Sequence, residues 1–191
     1  MAHVLLLHHA QGLTPGVVAF ADRLRAAGHQ VTAPDVYDGH VFDTLDAGID
    51  YARQVGFGTL QERGLAAADA LPGDLVYAGL SLGVMAAQQL AQTRPGARGA
   101  LLVASCVPVS EFGEAWPSGV PVQVHGADRD EVFMSEGDVD AARELVVGAD
   151  DAELFLYPAA GHLFMDESLP DHDAAASRLL DERVLAFLDR L

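Results

Sequence analysis

The chain has 191 residues, with 11 basic side chains, all arginine, against 28 acidic ones, for a formal charge of −17. No basic stripe is available to neutralise nucleic-acid phosphates, and an anionic membrane surface is equally disfavoured. The absence of lysine excludes a Schiff base, a Ser–Lys dyad and a phosphate loop ending in lysine. Cys106 is the single cysteine, so no internal disulfide forms. With 50% hydrophobic residues, one domain over residues 1–191 can bury a core of its own. The opening MAHVLLLHHA has too short an apolar run for a signal peptide, and no stretch approaches the ~18 apolar residues of a membrane span. The expectation is a soluble, cytoplasmic protein.

The elements alternate along the chain. His3–His8 reads as a strand, and Val17–Ala27 as a helix with Val17, Phe20, Ala21 and Leu24 on one face, stopped by Gly28. Gln30–Ala33 is a second strand. Thr44–Ala70 reads as one or two helices interrupted by Gly48, Gly56, Gly58 and Gly64. Leu75–Ala78 is a third strand, followed by a helix over Leu82–Thr93. Ala100–Ala104, Val120–His125 and Glu153–Tyr157 complete six strands, with a helix at Val139–Val147 and the strongest one at Ala174–Leu191. Near-continuous apolar strands suit a parallel sheet covered on both faces. The expected fold class is α/β, a compact doubly wound, mainly parallel sheet of about six strands without a cap domain. Ligands of such sheets bind at the carboxyl ends of the strands.

The third strand runs into Gly79-Leu80-Ser81-Leu82-Gly83, a G-x-S-x-G turn between a strand and a helix. Small residues at both ends permit a tight turn that lifts the Ser81 hydroxyl off the sheet, at a helix N-terminus that favours developing negative charge. A Gly-rich turn with Ser81 as a simple helix cap is the plainer alternative. A serine nucleophile needs a base and then an acid, in the chain order Ser, Asp, His. His162, in Ala160-Gly161-His162-Leu163-Phe164, follows the sixth strand and is the candidate base. Asp128 and Asp130, after the fifth strand, are the candidate acids, and spacing does not choose between them. The oxyanion hole would use the Leu82 N–H and an N–H from the turn His8-His9-Ala10-Gln11-Gly12. His9, Gln11 and Trp116 are candidate pocket-lining residues. Ser110–Gly119, with Phe112, Trp116 and Pro117, is a candidate lid, although the aromatics could equally pack over the sheet edge.

Together with Ala33-Pro34-Asp35-Val36-Tyr37 and Gly161-His162-Leu163-Phe164, these motifs resemble the dienelactone hydrolase family of the α/β-hydrolases over nearly the whole chain. The resemblance implies Asp130, followed by Glu131-Val132-Phe133, as the acid, and Ala10 as the second oxyanion donor. It implies a serine-type hydrolase acting on a small or medium ester, lactone or thioester, without cofactor or metal. Three positions depart from the family pattern. Ser81 replaces the nucleophilic cysteine, His9 stands where a glutamate contacts the thiol, and Asp166 stands where an arginine holds the substrate carboxylate. A carboxylate at 166 would repel an anionic lactone, so neutral acyl substrates are expected, with activity rising with pH as His162 titrates. A catalytically inactive binding protein is the alternative. A metal hydrolase is disfavoured because neither His-Glu-x-x-His nor paired cysteines occur.

Overall fold

The computed structural model describes residues 1–191. Six strands form one sheet: β1 (His3–Leu7), β2 (Gln30–Thr32), β3 (Val76–Leu80), β4 (Gly99–Val103), β5 (Val122–Ala127) and β6 (Ala152–Tyr157). Their order is β2-β1-β3-β4-β5-β6, and every neighbouring pair is parallel. The helices are α1 (Pro15–Ala26), α2 (Leu45–Val55), α3 (Phe57–Asp69), α4 (Val84–Thr93), α5 (Glu131–Ser135), α6 (Asp138–Gly148) and α7 (Ala174–Asp189). None is long and apolar enough to cross a membrane.

Strand alternation divides the core into two layers. Val4, Leu6, Val76, Ala78, Leu101 and Val103 meet α1 and α7 through Phe20, Leu24, Leu180, Val184 and Phe187. Leu5, Leu7, Tyr77, Ala100, Leu102 and Val124 meet the other layer, which includes Ala87 and Leu90 of α4 and Ala142 and Leu145 of α6. β3, β4 and β5 are buried throughout, whereas the edge strands β2 and β6 carry exposed positions. Apolar runs covered on both faces explain why the sequence reads as continuous strands.

β1 and β3 are adjacent, yet the chain leaves them for opposite faces, into α1 and α4. Their carboxyl ends form the switch point at which a crevice opens. Two expectations are refined and one helix is added. β3 continues two residues beyond Ala78, because Gly79 and Leu80 still pair with Leu7 and Val103. Thr44–Ala70 contains two helices, parted at Gly56, where φ is 93°. The five-residue α5 carries too little periodicity to be read from sequence.

The core also holds a titratable ring. His125 of β5 is fully buried, stacked on Phe155, with Nδ1 2.9 Å from the Tyr157 hydroxyl. Burial, and secondarily Arg183, push its pKa down to about 3. The folded value lies below the unfolded one, so the neutral ring's contribution is complete above pH ~6.5. It is lost as pH falls towards about 3. Urea midpoints are therefore expected to fall across that window, by on the order of a few kcal/mol in stability. His125→Asn, which removes the titration, should flatten the slope in the same measurement.

Candidate active site

Ser81 occupies the turn between β3 and α4, at φ 47°, a left-handed conformation unusual for a non-glycine residue. Ser81–Gly83 form a 3₁₀ turn that continues into α4. Both flanking glycines are sterically required. A Cβ at residue 79 would lie 2.6 Å from the Val84 backbone, and one at residue 83 would lie 2.3 Å from the Leu7 carbonyl oxygen. The second contact also presses this turn against the end of β1, bringing the Leu82 segment beside the turn that contains Ala10.

The Ser81 hydroxyl lies 2.8 Å from Nε2 of His162, whose Nδ1 lies 2.6 Å from Oδ2 of Asp130. His162 and Asp130 are both buried. The other oxygen of Asp130, Oδ1, accepts the Val132 N–H at 3.0 Å and caps α5. One carboxylate thus holds a helix with one oxygen and an imidazole with the other. A carboxylate on Nδ1 favours the tautomer that leaves the Nε2 lone pair facing the serine. Main-chain bonds from Asp128 N to Tyr157 O (2.8 Å) and from Arg129 N to Ala159 O (3.1 Å) join the acid loop to the segment leading to His162. Asp128 itself is exposed and faces Arg129 at 3.5 Å, so it takes no part in the relay. Cys106 is buried, and its thiol is pushed up to about 12, by burial first and then by Asp138. It therefore stays protonated.

The remaining sequence candidates fall differently. Ala10 and Leu82 lie on the two turns that flank Ser81, with Ala10 fully buried. His9 is also fully buried, and its ring is spent on Asp166 and on the Gln11 N–H. Gln11 is 5% exposed, and its amide donates to the Phe42 carbonyl at 2.9 Å. Neither is among the residues that line the cavity beside the serine turn. Trp116 lies near the amino end of β5, away from the carboxyl ends of the strands. Its indole N–H donates to the Val120 carbonyl just before β5, and the ring packs in the layer that holds Leu145 of α6. No residue of 110–119 lines the cavity beside the serine turn. The crossing from β4 to β5 is laced to α4, where Gln88 bonds both backbone groups of Val107 and Gln92 donates to the Val109 carbonyl. Asp166 is 1% exposed and does not face a substrate. Burial alone would raise its pKa, but hydrogen bonds from His9, Ser168 and Thr14 hold it at about 2. Sequence reasoning missed this buried cluster, because His9 and Thr14 come from a turn about 150 residues away from Asp166 and no local pattern links them. No group of three or more His, Cys, Asp or Glu side chains is placed to hold a metal ion.

A parallel sheet wound on both faces, with a strained serine turn at the switch point, defines an α/β-hydrolase. The full chain, residues 1–191, matches the dienelactone hydrolase family, and the protein belongs to that family of hydrolases. Solved structures share the fold at low identity. A candidate dienelactone hydrolase from Klebsiella pneumoniae subsp. pneumoniae MGH 78578 is 18% identical, with TM-score 0.73, over 100% of this chain and 88% of that one. A candidate α/β-superfamily hydrolase from Xanthomonas campestris pv. campestris is 22% identical, with TM-score 0.70, over 100% of both chains. A dienelactone hydrolase-like promiscuous phosphotriesterase from metagenomic libraries is 20% identical, with TM-score 0.68, over 100% of this chain and 87% of that one. No curated protein sequence matches the chain.

Proposed function

We propose that the protein is a serine hydrolase that cleaves a small, neutral ester, lactone or thioester through an acyl-enzyme on Ser81. The observation that carries this reading is the continuous relay from the Ser81 hydroxyl through both nitrogens of His162 to Asp130, at 2.8 and 2.6 Å. Ser81 Oγ attacks the carbonyl carbon while His162 Nε2 takes its proton, and Asp130 stabilises the resulting imidazolium. The N–H groups of Leu82 and Ala10 hold the oxyanion. As the tetrahedral intermediate collapses, His162 returns the proton to the leaving oxygen or sulfur. Water, deprotonated by the same nitrogen, then releases the acid and restores the serine.

Preference for a neutral substrate rests on charge. A largely apolar cavity beside the serine turn is lined by Val36, Leu60, Leu82 and Met85, and its lining includes no arginine. Its polar members are already engaged. His8 accepts the Val36 N–H, and Gln61 donates to Gln89. Arg63 is held by the Val36 carbonyl and Asp38, and Arg129 by the Pro158 carbonyl and Asp128. The cavity lining thus offers no cation to anchor a substrate carboxylate. In a chromogenic ester panel, neutral short-chain esters are expected to exceed their carboxylated counterparts in kcat/KM by about 10-fold or more, as loss of a charge-assisted hydrogen bond predicts. The reverse ranking would overturn this preference.

A fluorophosphonate probe tests the reaction class. The wild-type protein should label at Ser81, and Ser81→Ala should not. Absence of labelling on well-folded protein would favour a binding protein that lacks catalysis.

A further inference from the structure

Two of the positions at which the chain departs from its family's pattern, His9 and Asp166, lie 157 residues apart in sequence and are bonded to each other. Nε2 of His9 lies 2.9 Å from Oδ2 of Asp166. The backbone N–H of Gln11 points at His9 Nδ1 from 3.2 Å. That nitrogen must therefore present its lone pair, which places the ring hydrogen on Nε2, directed at the carboxylate. The second partner of Oδ2 is the Thr14 hydroxyl, and Oδ1 accepts both the N–H (2.8 Å) and the hydroxyl (2.6 Å) of Ser168. Each carboxylate oxygen accepts two hydrogen bonds, and His9, Thr14 and Asp166 are themselves buried.

The pair connects two parts of the reaction centre. Ala10, a proposed oxyanion donor, lies between His9 and Gln11, the two residues that the imidazole links. Asp166 lies four residues past His162, in a turn closed by its own N–H to the Leu163 carbonyl at 2.9 Å. The carboxylate also sits tightly on the first turn of α1. A Cβ at Gly16 would fall 1.7 Å from Oδ1, so only glycine lets helix and carboxylate meet. Thr14 caps that helix, accepting the Val17 N–H at 3.2 Å.

Building on the hydrolase reading above, we infer that His9 and Asp166 form a buried strut that sets the oxyanion turn relative to the base turn. They are positioning residues, since the bonds that occupy them run to each other, to the backbone of their own turns and to the Thr14 and Ser168 hydroxyls. Their effect should appear in the transition state, where the oxyanion forms, and not in ground-state binding.

Asp166→Asn preserves volume and tests the strut directly. Whichever way the amide turns, its NH₂ faces a group that already donates, either His9 Nε2–H or the Ser168 N–H. If His9 moves its proton to Nδ1, that proton meets the Gln11 N–H instead. His9→Leu removes the link from the other side, and His9→Gln keeps a donor near the Nε2 position. Turnover of a neutral ester should be measured per Ser81 site titrated with fluorophosphonate, so that unfolded protein is not counted. Asp166→Asn and His9→Leu should lower kcat per titrated site by about 10- to 100-fold, the scale of a small misplacement of reacting groups, with KM changed less than about 3-fold. His9→Gln should retain at least about a third of wild-type kcat, because the donor is kept. Variants Asp166→Asn and His9→Leu within about 2-fold of wild type, or His9→Gln falling as far as His9→Leu, would overturn the strut. A wild-type protein that does not label at Ser81 would instead sink the hydrolase reading, and the strut with it.

Discussion

Ser81→Ala is expected to lower turnover of a neutral ester by about 10⁴- to 10⁶-fold, leaving what the oxyanion donors and binding supply by themselves. The expectation follows from the shared task of the three groups. Without the hydroxyl, the imidazole 2.8 Å away has no proton to take, and no acyl-enzyme can form. Stability should change little, because alanine meets the same φ of 47° and loses one partly buried hydrogen bond. Steady-state rates and thermal melts on the same preparations check both halves. Retention of more than about a tenth of wild-type turnover would place the nucleophile elsewhere.

Asp130→Asn should reduce kcat by about 10⁴-fold, as an asparagine in a triad imposes the wrong imidazole tautomer. Here the helix cap forces the outcome. If the amide oxygen keeps the Val132 N–H, the NH₂ faces His162 Nδ1, which must then accept, and the Nε2 hydrogen points at Ser81. The base is blocked while the helix stays intact, since asparagine caps as well as aspartate. If the amide turns over, the imidazole is correctly held but the Val132 N–H meets a donor, at a cost of about 1 kcal/mol. The first arrangement should prevail, giving an inactive protein of near-normal melting temperature. Asp128→Asn, on an exposed side chain paired with Arg129, should stay within about 2-fold of wild type, as for a surface ion pair. Equal losses in the two variants would undo the assignment of the acid.

Those two aspartates mark how far the sequence is legible. Strands, sheet class and the serine turn follow from apolar runs, glycine placement and the order of residue types, all of which are local. Asp128 and Asp130 share one loop, so their chemistry and spacing are nearly equivalent. The difference is made by α5, five residues capped by Asp130, whose carboxylate is buried while that of Asp128 stays exposed. Trp116 is opaque for a related reason. An aromatic residue in a Pro- and Gly-containing stretch looks the same whether it covers a cleft or packs at the amino end of a strand. The decision is made by the Val120 carbonyl, which takes the indole N–H, and by the packing layer that holds Leu145, which belongs to another element. The identity of Asp166 was readable, but its role was not. A lone carboxylate near the base suggests repulsion of anions, whereas four donors contributed by His9, Thr14 and Ser168 turn it inward.

The backbone bonds from Asp128 to Tyr157 and from Arg129 to Ala159 extend the β5–β6 ladder past the strand ends. β6 is the outermost rib of the sheet on that side. The imidazole is therefore moored to a margin that has a neighbour on one flank only, and such margins fray before the interior melts. Under mild heat or dilute denaturant, competence should fade while the central strands are still intact, making inactivation a local event that precedes collapse of the whole.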